Sequence, residues 1–92
     1  MPAQCYYDAW MHLVRQGYGE LVHGTVYGGY PKRVIKHAWV EYDGKVYDPQ
    51  LWEEFNKDFY YETFSARPER RYNLEDATVK SFRTEIYGGP WE

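Results

Sequence analysis

The dipeptide Asp43-Gly44 constrains this chain more than any other local feature, because it stands between two runs of alternating apolar and polar residues. Asp-Gly in this setting is the strongest short-range signal for a two-residue type I′ hairpin, and such a turn fixes the register of the strands it joins. The predicted cross-strand pairs are Tyr42 with Lys45, Glu41 with Val46, Val40 with Tyr47, and Trp39 with Asp48.

This register places a histidine beside a carboxylate. Side chains alternate across a strand with a period of two, so His37 and Trp39 share one face with Asp48. His37 is then the diagonal neighbour of Asp48, about 7–8 Å away at the backbone, which a carboxylate and an imidazole ring can bridge. Glu41 and Val46 complete the same face.

The segment before the hairpin predicts a helix that carries the only cysteine near its start. Residues 5–16 repeat apolar side chains at spacings of three and four, and Gly17 supplies a stop. Cys5 is therefore expected at a helix N-terminus, where roughly half a positive charge favours a thiolate. Taken alone, a single cysteine in a cytosolic protein is more often a small buried apolar residue than a nucleophile.

The remaining segments predict a minimal α+β domain, with the N-terminal helix packed on a small antiparallel sheet and a second helix near the C-terminus. Strands are expected over residues 21–27, 33–42 and 45–47. A loop with one helical turn around residues 51–55 is expected within residues 50–64. Pro68 is expected to mark a break.

Asn73 resembles an N-cap, which predicts the C-terminal helix over about residues 74–85. Gly88, Gly89 and Pro90 then end this helix and leave Trp91 to pack against the body of the domain.

Composition and charge narrow the classes of function. The 92 residues suffice for one domain with a single core. A net charge of −3 gives no global attraction to nucleic acid, and arginines 67, 70 and 71 are interpreted as a solvated face. No apolar run reaches the roughly 18 residues of a membrane span. We expect a soluble cytoplasmic protein with no nucleic-acid or membrane partner.

Aromatic residues make up 21% of the chain, including 11 Tyr and 4 Trp. Some belong to the core, and the excess either coats a groove or interface or is spread over a small sheet, since Tyr and Trp combine apolar area with a polar tip. The histidines and the cysteine lack tight metal-ligand spacing, so no metal and no cofactor are expected.

Cys5, His37 and Asp48 are the candidates for thiol chemistry. Acyl transfer by cysteine needs a thiolate, a base for its proton and a group that orients the base. These residues meet the need if the helix packs its N-terminus against the strand end bearing His37. Gln4 could add an amide to an oxyanion hole, or be a plain polar residue. Trp39 could shield the His–Asp pair from water, or be an ordinary core aromatic.

The order of these motifs resembles the transglutaminase-like superfamily of papain-type cysteine enzymes. The similar segments are Cys5 with its helix, Leu21-Val22-His23-Gly24-Thr25-Val26, His37-Ala38-Trp39-Val40-Glu41 and Tyr47-Asp48-Pro49. The resemblance covers about residues 4–50 and implies a papain/transglutaminase-like core in one domain, 1–92. It implies Cys5 as nucleophile, His37 as general base and acid, and Asp48 as orienting carboxylate.

Three departures from the family pattern accompany this resemblance. Family members usually have a segment before the nucleophile, whereas four residues precede Cys5, so part of the substrate groove is expected to be absent. Leu21 stands where the family often has an arginine. The C-terminal 40 residues match no pattern.

We therefore expect cysteine-dependent acyl transfer on amide bonds, either hydrolysis of a peptide or isopeptide bond or transfer to an amine. The partner would be a peptide or protein amide substrate. The alternative is a catalytically inactive papain-like module that binds a protein or peptide, because a fold does not fix a reaction.

Overall fold

The computed structural model describes residues 4–91 and shows an α+β domain, as predicted. Its helices are α1 (Gln4–Gln16), α2 (Lys57–Phe64) and α3 (Leu74–Thr84). Its strands are β1 (Glu20–Gly28), β2 (Arg33–Tyr42), β3 (Lys45–Asp48), β4 (Glu53–Asn56) and β5 (Arg67–Asn73). They form one sheet in the order β4-β3-β2-β1-β5, and neighbouring strands are antiparallel.

The hairpin of β2 and β3 confirms the register that the Asp-Gly turn predicts. The observed pairs are Val40 with Tyr47, Glu41 with Val46, and Tyr42 with Lys45. Asp43 and Gly44 have φ values of 52° and 72°, and a type I′ turn requires positive φ at both positions. Asp48 follows at the end of β3, on the face that carries Trp39 and His37.

The sheet separates two clusters of buried side chains. One lies between the sheet and the helices α1 and α3, and its members are Cys5, Tyr6, Ala9, Trp10, Leu13, Leu21, Ala38, Val40, Tyr72 and Ala77. The other lies on the α2 side, and its members are Val22, Val26, Trp39, Val46, Tyr60 and Ala66. Strand β2 contributes to both clusters because its side chains alternate between the two faces.

Helix α1 has the predicted extent and places Cys5 in its first turn. Cys5, Ala9 and Leu13 lie on its buried side at spacings of four residues. The helix ends at Gly17, whose N–H donates to the carbonyl of Leu13 at 2.9 Å and whose φ is +88°. Glycine adopts this left-handed conformation without a steric cost.

The predicted loop over residues 50–64 is wrong, because the chain forms β4 and α2 there. The side chain of Asn56 accepts a hydrogen bond from the N–H of Phe59 at 3.1 Å and caps α2. Asn56 followed by Asp58 was the available signal for a helix start. Dense aromatic residues on both sides obscured the change from strand to helix period.

The predicted break at Pro68 is also wrong, since Pro68 lies inside β5. β5 is an edge strand, where a missing backbone N–H on the outer side costs no ladder hydrogen bond. Pro68 pairs with Gly24 beside a shift in register, and a Cβ on Gly24 would lie 2.1 Å from the carbonyl oxygen of Arg67. This close approach requires glycine.

The predicted C-terminal helix is confirmed as α3, the third helix in the described chain. The side chain of Asn73 caps it by accepting from the N–H of Asp76 at 2.8 Å. Trp91 packs against the first cluster, with its ring 4.9 Å from that of Tyr72. None of the helices within residues 4–91 is long and apolar enough to cross a membrane.

The hairpin turn predicts the cost of a substitution. Gly44→Val places a β-branched residue at φ 72°, so we expect a loss of about 1–3 kcal/mol in the free energy of unfolding. Gly28→Val is the matched control, because Gly28 has open space around its Cβ position and no positive φ. Urea unfolding of both variants measures the difference, and equal losses would contradict the turn assignment.

Candidate functional site

Cys5 and His37 approach each other from opposite faces of the sheet and meet at an edge of β2. Cys5 belongs to the cluster beneath α1, whereas Trp39, on the His37 face, belongs to the cluster on the α2 side. The β3 ladder engages β2 only at residues 40–42, so this ladder leaves the first half of β2 unpaired. At this edge the side chain of Cys5 forms a hydrogen bond with that of His37.

Asp48 holds the other side of the His37 ring. Its Oδ2 accepts a hydrogen bond from Nε2 of His37 at 2.9 Å, and both residues are buried. Its Oδ1 accepts from the backbone N–H groups of Gln50 at 2.8 Å and Leu51 at 3.2 Å. Because Nε2 faces the carboxylate, Nδ1 is the ring nitrogen left to face Cys5.

The contacts shift the pKa values of both groups. Burial would lower the pKa of His37, but its hydrogen bonds to Asp48 and Cys5 and their charges outweigh burial and raise it to about 9. Burial would raise the pKa of Asp48, but the hydrogen bond and charge of His37, with smaller help from other donors, hold it below its usual range. At neutral pH an imidazolium therefore lies between the carboxylate of Asp48 and the sulfur of Cys5.

Tyr60 is a further member of the site that sequence reasoning missed. Its hydroxyl donates to Oδ2 of Asp48 at 2.5 Å, the same oxygen that His37 contacts, and the side chain is fully buried. Burial, together with the charge of Asp48, raises the pKa of its phenol, so Tyr60 remains a donor. Recognition of the Asn56 cap would have revealed α2, which places Tyr60 and Phe64 on one side of a helix.

Trp39 is a core aromatic, and its role in shielding the His–Asp pair from water stays a prediction. It is fully buried in the core, and its ring lies 6.2 Å from that of His37. Its indole N–H donates to Oε2 of Glu41 at 2.8 Å. Glu41 in turn contacts Arg71 at 2.6 Å and Lys57 at 3.3 Å, so two cations fix the carboxylate that orients the indole.

Cys5 and His37 line a cavity of about 520 Å³. The other lining residues are Gln4, Asp8, Arg33, Ile35, Lys36, Pro49, Gln50 and Trp52. Cys5 is 8% exposed and His37 is 2% exposed, so a reactant must enter this cavity to reach the sulfur. Its volume lies within the range of about 300–1,000 Å³ that is usual for ligand sites.

Gln4 lines the cavity beside Cys5, but its amide is engaged along the helix. The amide nitrogen donates to Oδ1 of Asp8 at 2.8 Å, one turn away. An amide carries two hydrogens, so the second could reach a substrate oxygen. The oxyanion role of Gln4 stays a prediction.

No protein-family model matches this chain, and comparisons with characterised proteins and with solved structures give no significant match. The similarity to transglutaminase-like enzymes thus remains a resemblance of motifs. Within residues 4–91, no three His, Cys, Asp or Glu side chains are grouped to hold a metal ion. What the structure does bring together is Cys5, His37 and Asp48 at one edge of the sheet.

The raised pKa of His37 predicts that folding stability falls in mild alkali. Its pKa is about 9 in the folded protein against an ordinary 6.5, so the stabilisation is present below about pH 6.5 and is lost as pH rises through 9. The expected loss between about pH 6 and about pH 9.5 is roughly 3 kcal/mol. Urea unfolding at the two pH values measures it, with His37→Gln as the control that should remove most of the dependence. A flat wild-type profile would contradict the assignment.

The substitution Tyr60→Phe removes the buried hydroxyl that donates to Asp48 and leaves the ring in place. Asp48 then loses one of the two donors on Oδ2 and pairs more strongly with His37, so we expect the pKa of His37 to rise further. NMR titration of the imidazole nitrogens measures this shift. Tyr61→Phe is the matched control, because the Tyr61 hydroxyl donates to Glu41 instead. The hypothesis fails if both variants leave the His37 titration where it was.

Proposed function

We propose that this protein catalyses acyl transfer from an amide substrate through the thiolate of Cys5. The observation that supports the proposal most is the contact of Cys5 with a His37 ring whose far nitrogen is held by Asp48. A nucleophile, a base and an orienting group within hydrogen-bond reach are the signature of nucleophilic catalysis. The position of Cys5 in the first turn of α1 adds the favourable end of a helix dipole.

The proposed reaction has two steps. In the first, the Cys5 thiolate attacks the amide carbonyl, and a carbon–sulfur bond forms as the oxygen takes on negative charge. The His37 imidazolium gives its proton to the leaving amine, the carbon–nitrogen bond breaks, and a thioester remains. In the second, His37 takes a proton from water or from an acceptor amine, which attacks the thioester and releases Cys5.

Each neighbour of His37 has a definite part in this scheme. Asp48 holds the ring so that Nδ1 faces the sulfur, and it stabilises the imidazolium. The backbone N–H of Cys5 and the amide of Gln4 are the candidate donors to the developing oxyanion. Trp39 and Tyr60, both fully buried, keep bulk water away from the far side of the His–Asp pair.

The proposed substrate is a peptide or protein amide, and the acceptor decides between hydrolysis and transfer. A thiolate nucleophile has to stay reduced, so we propose the cytoplasm as its location. A non-catalytic module would bind a peptide in the same cavity without forming a thioester. Covalent capture on Cys5 therefore distinguishes the two functions.

Labelling of Cys5 tests the proposed ion pair. Cys5 is the only cysteine, so intact mass after treatment with iodoacetamide reports this residue alone. At neutral pH we expect His37→Gln to slow alkylation by about 10-fold or more, and Asp48→Asn to slow it less. Thermal melts confirm that each variant is folded. Equal rates in wild type and folded His37→Gln across the pH range would refute the ion pair.

Turnover of peptide amides tests the reaction itself. We expect wild type to release amine from fluorogenic peptide amides, and Cys5→Ala to lose this release while keeping its melting temperature. An added amine that is incorporated into the product indicates transfer, whereas its absence from the product indicates hydrolysis. Tight peptide binding with neither release nor a covalent adduct on Cys5 would favour the binding module.

A further inference from the structure

Trp52 is a large apolar side chain held at the rim of the cavity that contains Cys5. It is 80% exposed, yet it lines the same cavity as Cys5 and His37. Single exposed apolar side chains are common on protein surfaces, so exposure alone assigns no role. Within residues 4–91, however, Trp52 is the one exposed Phe, Tyr or Trp that lines the cavity containing Cys5.

The backbone at Trp52 supplies an independent observation. Its φ is +57°, in the left-handed region that residues with a Cβ rarely adopt and bulky residues least of all. Glycine would occupy this conformation without strain. An exposed tryptophan in a strained conformation does not stabilise the core, and strain of this kind clusters at binding and catalytic sites.

The turn that carries Trp52 is tied to the His–Asp pair. The N–H of Trp52 donates to the backbone oxygen of Asp48 at 2.8 Å. The N–H groups of Gln50 and Leu51 donate to the carboxylate of the same residue. Three hydrogen bonds therefore fix the backbone of the turn, and with it the Cα position of Trp52, relative to Asp48.

Two other apolar residues line the same cavity as Trp52. Pro49 begins the turn and is fully buried, and Ile35 on β2 is partly buried against the cluster on the α2 side. Arg33 and Lys36 also line the cavity, and Lys36 has Glu69 at 3.9 Å. Trp52, Pro49 and Ile35 themselves carry no charged or polar side-chain group except the indole N–H. The wall therefore matches a bulky hydrocarbon or aromatic group better than a charged one.

We infer that Trp52, with Ile35, forms a subsite for a bulky apolar side chain next to the carbonyl that Cys5 attacks. The occupant is the acyl substrate itself, because the subsite is continuous with the cavity around Cys5 and His37. Trp52 is thus a specificity-determining residue, and the preferred substrates are peptides with a large aliphatic or aromatic residue at the reacting amide. The inference rests on the proposed function.

The test compares two peptidyl chloromethyl ketones that differ only in the residue beside the reactive carbon, phenylalanine in one and glycine in the other. Rates of Cys5 labelling are read by intact mass and corrected by the rates of both probes with glutathione. We expect wild type to prefer the phenylalanine probe by about 10-fold or more, the range that an apolar pocket provides. Trp52→Phe should keep most of this preference, and Trp52→Gly should lose it.

Two further readouts separate substrate contact from a structural role. Iodoacetamide is too small to need the subsite, so its rate with Trp52→Gly should stay close to that of wild type. The melting temperature of Trp52→Gly should stay within about 5 °C of wild type, because relief of the strain at φ +57° offsets the greater freedom of glycine in the unfolded chain. A larger fall would show that the tryptophan is structural and would overturn the inference.

The remaining outcomes distinguish failure of the subsite from failure of the proposed function. A wild-type protein that labels equally with both probes, or a Trp52→Gly variant that keeps the full preference, overturns the subsite and leaves the nucleophile intact. A wild-type iodoacetamide rate no higher than that of folded His37→Gln overturns the nucleophile, and the subsite with it.

Discussion

The buried carboxylate of Asp48 is the constraint on which the rest of the site depends. An ionised carboxylate removed from water costs several kcal/mol unless charge and hydrogen bonds compensate it. Here Oδ2 accepts from His37 and Tyr60, and Oδ1 accepts from two backbone N–H groups of the following turn. One side chain thereby links β2, α2 and the turn that carries Trp52, so the loss of any one of these donors leaves a buried charge short of a partner.

β3 is shorter than β2 and leaves part of the β2 edge uncovered. Side chains from the two faces of the sheet can contact each other around this uncovered edge. β2 has 10 residues and β3 has 4, so much of β2 extends beyond the hairpin ladder. A long open edge is normally a hazard, because it can pair with another chain. In this domain the start of α1 and the turn after Asp48 lie along that edge and line a cavity there. Because the β2–β3 ladder is short, the N-terminus of α1 can lie next to His37 on β2.

Sequence reasoning succeeded where local chemistry decides the structure and failed where neighbours decide it. The Asp43-Gly44 turn sets its own register, and that register correctly placed His37 beside Asp48. The approach of Cys5 is a property of helix packing, which the residues alone left as a condition and the motif resemblance suggested. Tyr60 was missed because the aromatic residues around α2 show no clear period. Pro68 was misjudged because an edge position depends on the order of the strands.

Two buried carboxylates on the same face of β2 and β3 show why only one suits proton chemistry. Glu41 and Asp48 are 6% and 4% exposed, and both have lowered pKa values. The charge of Glu41 is balanced by Arg71 and Lys57, whose charges persist throughout the physiological pH range. The ion pairs of Glu41 are therefore structural and do not change with pH in this range. Asp48 is balanced by His37, whose pKa is about 9 and which can lose or regain a proton during a reaction. The carboxylate whose partner titrates is the one that the fold places at the cavity, and the carboxylate with fixed partners holds the indole behind it.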